Sequence, residues 1–273
     1  MTNRELHEWI LLNTEAGHSP ESLLEKLLQA GWSESVALDA LESTLRSRAA
    51  ELGVVTVPEP NLINSPTSVT VGGREIDVLL ALRSPRLVVF RKFLSDEECG
   101  AMIEAARPRL AASTVIDNDS GANAMHEGRV SEGMFFKRCE SPLIRSIEER
   151  IAELVRWPLD HGETIQVLRY GVGGKYDPHF DYFDPAIPGS AEPIRIAGNR
   201  VGTLIMVLKA PIRGGSTLFP DAGVEVFAQK GNAVFFSYDR PKASTKTLHG
   251  GAPVIEGEKW IATKWLRERA FTD

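Results

Sequence analysis

In the stretch Gln166–Phe183, QVLRYGVGGKYDPHFDYF, an imidazole (His179) and a carboxylate (Asp181) stand two positions apart. On a β-strand, side chains at i and i+2 leave the same face, so the pair can offer one nitrogen and one oxygen to a single metal ion. Two ligands are not a site, and a third must come from elsewhere. The chain has six histidines. His249, in TKTLHGGAPV, is the one downstream, and it completes a two-His, one-carboxylate set. His126 and His161 have no ligand partner at useful spacing and read as surface residues or as supports for a ligand.

The elements that must hold these residues are strands. After Glu163 the runs TIQVLRY, VGTLIMVLKA, STLFP, VEVFAQ, NAVFFSY and KWIATKWL are separated by Gly, Pro, Asn and Asp. Many short strands at even spacing predict a barrel or double sheet of the jelly-roll kind, whose open end can hold a metal. In the last run, Lys259, Ile261, Thr263 and Trp265 share one face, and Trp260, Ala262, Lys264 and Leu266 the other. If the first set points inward, Lys259 becomes a lone interior ammonium, which is costly without an anion. A dicarboxylate held by the metal would provide that anion.

An isolated His-x-Asp is common by chance, a late His is usually a satisfied polar residue, and a strand Lys usually faces solvent. Together they are far more specific. Two histidines and one carboxylate with open coordination positions is the ligand set of non-haem Fe(II) oxygenases. A structural zinc site would want four protein ligands including cysteines, and neither Cys99 nor Cys139 has that spacing. Both cysteines read as core residues.

Upstream, residues 1–50 carry helical periodicity. Ser19 with Pro20 marks a helix start, Gly31 a stop and Ser33 a further cap, with Val36, Leu38, Ala40, Leu41 and Leu45 on the last apolar face. LLQAGWSESVALDAL resembles ubiquitin-associated-like three-helix modules in its Gly-aromatic pair. The plainer expectation is a helical appendage that packs on the main domain or mediates self-association. Residues 51–85 read as a Pro-, Ser- and Asn-rich linker with a first strand, Arg74–Leu82. A capping box at Ser95 opens a helix, and Pro142–Val155 is amphipathic. Between Ser113 and Arg138 lies a polar, Gly-containing loop with Arg129 in it, of the length that is often functional.

Composition sets the outer limits. The 273 residues, 42% hydrophobic and 25% charged, suit one large domain with a small appendage. A net charge of −6 argues against nucleic acid as the main partner. No apolar run approaches the roughly 20 residues that span a bilayer. Two cysteines make no disulfide framework and no secretory signal opens the chain, so a cytoplasmic protein is expected.

From about Arg86 to Arg267 the chain resembles the prolyl 4-hydroxylase branch of the Fe(II)/2-oxoglutarate dioxygenases. The likeness rests on FLSDEEC, RVSEGMF, QVLRYGVGGKYDPHFDYF, GGSTLFP and LHGGAPVIEGEKWIATKW. It implies a double-stranded β-helix (jelly roll, cupin-like) core in residues 86–273, mainly β with flanking helices. It implies Fe(II) on His179, Asp181 and His249, with 2-oxoglutarate and O2 as cosubstrates and ascorbate as a reductant. Lys259 matches the position that pairs with the distal carboxylate of 2-oxoglutarate, and Tyr170 and Thr217 match positions that help hold it. Trp265 matches a residue on the cosubstrate side, and Arg129 and Arg200 match positions associated with a peptide substrate. The implied reaction hydroxylates a prolyl residue of a peptide or protein, proline-rich in one version, with release of succinate and CO2.

Departures from the pattern, Arg169 and Val207 among them, bear on the substrate rather than the chemistry. Hydroxylation of a free amino acid or small metabolite by the same machinery stays open. So do a metal-binding module that kept the barrel without oxygenase activity and a cupin-like isomerase that uses a divalent metal without O2.

Overall fold

The computed structural model describes residues 3–51, 57–112, 115–116, 123–124 and 130–272. The chain divides into two compact units, Met1–Thr56 and Val57–Asp273. In the smaller, α1 (Asn3–Glu15), α2 (Pro20–Gln29) and α3 (Glu34–Glu51) bury Leu6, Ile10, Leu23, Leu27, Ala37 and Leu41 against one another. The Ser19 hydroxyl accepts the Ser22 N–H, and Pro20 occupies the first helical position, as the sequence suggests. The buried face of α3 runs through Ala37, Ala40 and Leu41, whereas Val36 is exposed. Ala40, Leu41 and Leu45 thus lie on the face the sequence suggests, with Ala37 in place of Val36.

The larger unit contains β1 (Ser68–Val71), β2 (Arg74–Leu82), β3 (Arg86–Arg91), α4 (Asp96–Ala106), β4 (Ala111–Ala112), β5 (Val115–Ile116), β6 (Asn123–Ala124), β7 (Glu132–Phe135) and α5 (Pro142–Val155). It continues with β8 (Gln166–Tyr170), β9 (Tyr176–His179), α6 (Ala191–Ala197), β10 (Arg200–Lys209), β11 (Arg213–Gly214), β12 (Thr217–Phe219) and β13 (Val224–Val226). It ends with β14 (Ala233–Ser237), β15 (His249–Gly251), β16 (Val254–Glu256) and β17 (Lys259–Arg267). A large antiparallel sheet runs β1-β2-β3-β14-β10-β17-β8-β7-β4, and a small one β13-β12-β15-β9. This is the double-sheet jelly-roll arrangement with helices outside it.

Part of the stretch expected as linker is strand. Val57 begins the larger unit, and β1 and β2 form a hairpin with Val71 opposite Arg74. Gly72 and Gly73 both adopt positive φ (56° and 72°), the conformation a tight hairpin turn demands.

Residue alternation sorts the large sheet into two faces. Val88, Phe90, Val167, Leu204, Met206 and Phe235 face the layer of α4 and α5. Their neighbours Leu87, Val89, Leu168, Ile205, Val207 and Phe236 face the small sheet. Such period-2 burial on both faces is what a strand covered on both sides requires. The outer helices are capped locally. Ser95 and Glu98 exchange side-chain and backbone hydrogen bonds at the start of α4, and Ser141 accepts the Ile144 N–H at the start of α5. Arg150 on α5 then clamps α4 through Glu98 at 2.6 Å. The helix layer fixes one side of the sheet and leaves the other free to shape a cavity.

Candidate functional site

The cavity lies between the two sheets, and strand register brings its chemistry together. β15 pairs with β9 so that His249 stands opposite His179, and β17 pairs with β8 so that Lys259 stands opposite Tyr170. Gly250 permits the first of these approaches: a Cβ there would fall 2.8 Å from the Tyr176 carbonyl oxygen. Asp181 follows β9 directly. One ligand atom each from His179, Asp181 and His249 lies within 4.8 Å of the others.

The donor set is oriented for a metal. The Nδ1 atoms of His179 and His249 lie 2.9 and 3.0 Å from the carbonyl oxygens of Asp177 and Thr247. A carbonyl can only accept, so each Nδ1 carries the proton and each Nε2 is the available lone pair. Those Nε2 atoms sit 3.6 and 3.4 Å from the two oxygens of Asp181. The Asp181 carboxyl is buried, and burial alone would raise its pKa. Protonation of the His249 and His179 rings in the metal-free site, with the charge of Arg200 and a hydrogen bond from Thr203, holds it below the usual carboxylate range instead. Two neutral imidazole nitrogens and one carboxylate oxygen converging on one point, with the cavity beside them, fit a three-ligand Fe(II) centre with open positions.

Deeper in the same cavity, Lys259 is 6% exposed. Burial pushes its pKa down to about 8, and no carboxylate among the described residues forms an ion pair with it. Its ammonium lies 5.8 Å from the Tyr170 ring centroid. Tyr170, Thr217 and Trp265 also line this space. All four line the one cavity, Thr217 from the small sheet and the others from the large one. The buried indole N–H of Trp265 finds no acceptor among the described residues.

Arg200 is different. Expected at the substrate, it lies beside the metal-binding residues, with its guanidinium taken bidentately by Glu163 at 2.7 and 2.8 Å. Its guanidinium carbon stacks 4.1 Å over the Trp265 ring, and Arg267 shares the same Glu163 at 2.8 Å. Arg200 thus braces the wall of the cavity. Arg129 lies outside the described residues, as does His126. His161 is half-buried, edge-on to Trp157 at 5.9 Å, and remote from the cavity lining.

Several residues in or behind the cavity were not singled out from sequence. Tyr176 stacks on the His179 ring with centroids 3.8 Å apart. Thr203 donates to Asp181 at 2.7 Å and meets the hydroxyl of Tyr238 at 3.1 Å. Tyr176 had a usable signal, since it lies on the same extended run as His179. Thr203 and Tyr238 had none, because their partners are far away in the chain.

Known proteins agree with this arrangement. The family model described as 2OG-Fe(II) oxygenase superfamily matches residues 165–267, which contain every residue of the centre. Prolyl 4-hydroxylase 1 of Arabidopsis thaliana is 40% identical over 205 residues, 68% of this chain and 70% of that protein. Prolyl 4-hydroxylase 2 of the same plant is 36% identical over 233 residues, 77% of this chain and 75% of its own length. Among solved structures, the 2OG complex of the viral collagen prolyl hydroxylase from Paramecium bursaria Chlorella virus-1 is 31% identical. It covers 66% of this chain and 95% of that one, with a TM-score of 0.52. The chain belongs to the prolyl 4-hydroxylase family of the 2OG-Fe(II) oxygenases and is a 2-oxoglutarate-dependent dioxygenase that works with Fe(II), 2-oxoglutarate and O2.

Proposed function

We propose that this enzyme hydroxylates a prolyl residue of a peptide or protein at the His179, Asp181 and His249 centre. The observation that carries the assignment of residues is the pairing, in one cavity, of that ligand cluster with the buried Lys259. When bound, Fe(II) and 2-oxoglutarate supply an O2-dependent oxidation that inserts one oxygen into a substrate C–H and leaves succinate and CO2.

The chain's own work is to hold and to exclude. Lys259 takes the distal carboxylate of 2-oxoglutarate, so the ammonium that folding left unpaired gains its anion only in the loaded enzyme. The hydroxyls of Thr217 and Tyr170, beside it, donate to the same carboxylate. Trp265, braced from behind by Arg200, closes the cosubstrate side with an indole N–H to spare. The apolar side chains of Leu168, Ile205 and Ile261 keep the space between carboxylate anchor and metal dry. The stacked Tyr176 restrains the His179 ring while leaving its Nε2 edge open. A proline-rich substrate, a contact with Arg129 and ascorbate as reductant belong to the same proposal.

Purified enzyme with Fe(II) should convert 2-oxoglutarate to succinate in step with hydroxyproline formation in a panel of proline-rich peptides. Free proline serves as the competing substrate. His179→Ala should abolish both products. Coupled turnover on free proline and none on any peptide would replace the peptide reading with hydroxylation of a free amino acid.

A further inference from the structure

Asp181 has two oxygens, and the fold treats them differently. Each faces one ligand nitrogen, Oδ1 at 3.6 Å from the His179 Nε2 and Oδ2 at 3.4 Å from the His249 Nε2, but only Oδ2 accepts the Thr203 hydroxyl, at 2.7 Å. Thr203 is fully buried at the middle of β10, opposite Trp265 on β17 and Phe236 on β14. Its hydroxyl has a single proton, and that proton is committed to an ionised carboxylate, which can only accept. The Tyr238 hydroxyl, 3.1 Å away, is therefore the donor to the Thr203 oxygen. Tyr238 is itself 1% exposed, wedged between Phe236 and Tyr182. The result is a one-way chain of hydrogen bonds: Tyr238 to Thr203 to Asp181 Oδ2.

Resting on the metal-site reading above, we infer that Thr203 and Tyr238 are positioning residues that make Asp181 a one-oxygen ligand. Thr203 occupies a lone pair of Oδ2 and so leaves Oδ1 as the oxygen better able to bind the metal. Tyr238 fixes which way the Thr203 proton points, and burial of all three groups keeps water from competing. A carboxylate without this partner is free to rotate and to offer both oxygens, which consumes a coordination position that the cosubstrates need. Nothing in the linear sequence links these residues, because Thr203 lies 22 positions from Asp181 and 35 from Tyr238.

Neither residue contacts the cosubstrate anchor Lys259, so the effect should appear in metal binding before it appears in 2-oxoglutarate binding. The test is anaerobic titration with Co(II), read by its visible absorption, on wild type, Thr203→Val, Thr203→Ser and Tyr238→Phe. Melting curves of the metal-free proteins accompany it. Thr203→Val should bind Co(II) about 10- to 100-fold more weakly, the range for loss of a ligand's hydrogen-bonding partner. Its absorption should also fall in intensity, as the coordination number rises with a second carboxylate oxygen. Thr203→Ser, which keeps the hydroxyl, should restore both affinity and spectrum. Tyr238→Phe should weaken binding by a smaller factor, and it decides the matter if Thr203→Val does not fold.

Wild-type affinity and spectrum in Thr203→Val would overturn the inference. So would a Thr203→Ser variant as impaired as Thr203→Val, since shape and not the hydroxyl would then matter. Failure of the wild type itself to bind Co(II) would instead remove the metal-site reading beneath it.

Discussion

Two lysines on β17, five residues apart, meet burial in opposite ways. Lys264 is 2% exposed on the helix side of the strand, and its ammonium is bonded to Glu148 of α5. Lys259 is 6% exposed on the cavity side and has no such carboxylate among the described residues. Glu148 also accepts the Cys139 N–H at 2.7 Å, so the Lys264 pair is closed on itself. Burial lowers the pKa of both lysines, but only for Lys264 does a facing carboxylate pull it back up. One strand thus carries a charge whose partner is built into the fold beside a charge whose partner arrives with the ligand. Completeness marks the structural lysine, and incompleteness marks the functional one.

The sharpest way to break this contrast is to remove each ammonium in turn. Lys264→Met should cost about 3–5 kcal/mol in urea unfolding, because it strands Glu148 in the interior. The double variant with Glu148→Leu should recover most of that loss. If Lys264→Met unfolds like wild type, the pair is not what holds the helix layer to the sheet.

Lys259→Met should leave the metal-free protein no less stable. It should weaken 2-oxoglutarate by about 2–5 kcal/mol, a rise in its KM of roughly 30-fold or more. Loss of stability without change in that KM would reverse the roles of the two lysines.

A smaller effect lies in pH. The folded pKa of Lys259, about 8, is below its ordinary 10.5. Between those values the unfolded chain holds the proton and the folded one has released it, so stability without cosubstrate rises with pH across the window. Anion binding needs the proton, so 2-oxoglutarate affinity should fall by about tenfold per unit above pH 8. The same titration on Lys259→Met should be flat there, and a parallel decline in both would place the effect elsewhere.

Much of this site was legible in the chain because its logic is local. The His179–Asp181 spacing at the end of β9, the late His249 and the alternation from Lys259 to Trp265 are all properties of short local stretches. The two-sheet core and the capped helices followed from period and caps in the same way. What escaped reading was either a turn or a long-range pair. In SVTVGGREI the double glycine flanked by alternating residues is a hairpin signal, yet the prolines before it suggested a linker. The Arg200 pairing escaped because nothing near it in sequence reveals Glu163, 37 positions earlier. A buried arginine is identifiable only through its partner. Thr203 and Tyr238 carry ordinary strand residue types, and only folding shows what they touch.

The two-faced commitment of β17 also limits how the gene can change length. Between His249 and Lys259 the chain turns through β16 and Gly257, whose φ is +85°. Adding or removing one residue in the strand itself would send Lys259 into the helix layer and Trp260 into the cavity. Loops elsewhere can tolerate growth, since an added residue need not shift any strand's register. From Lys259 onward the reading frame of the strand is part of the active site.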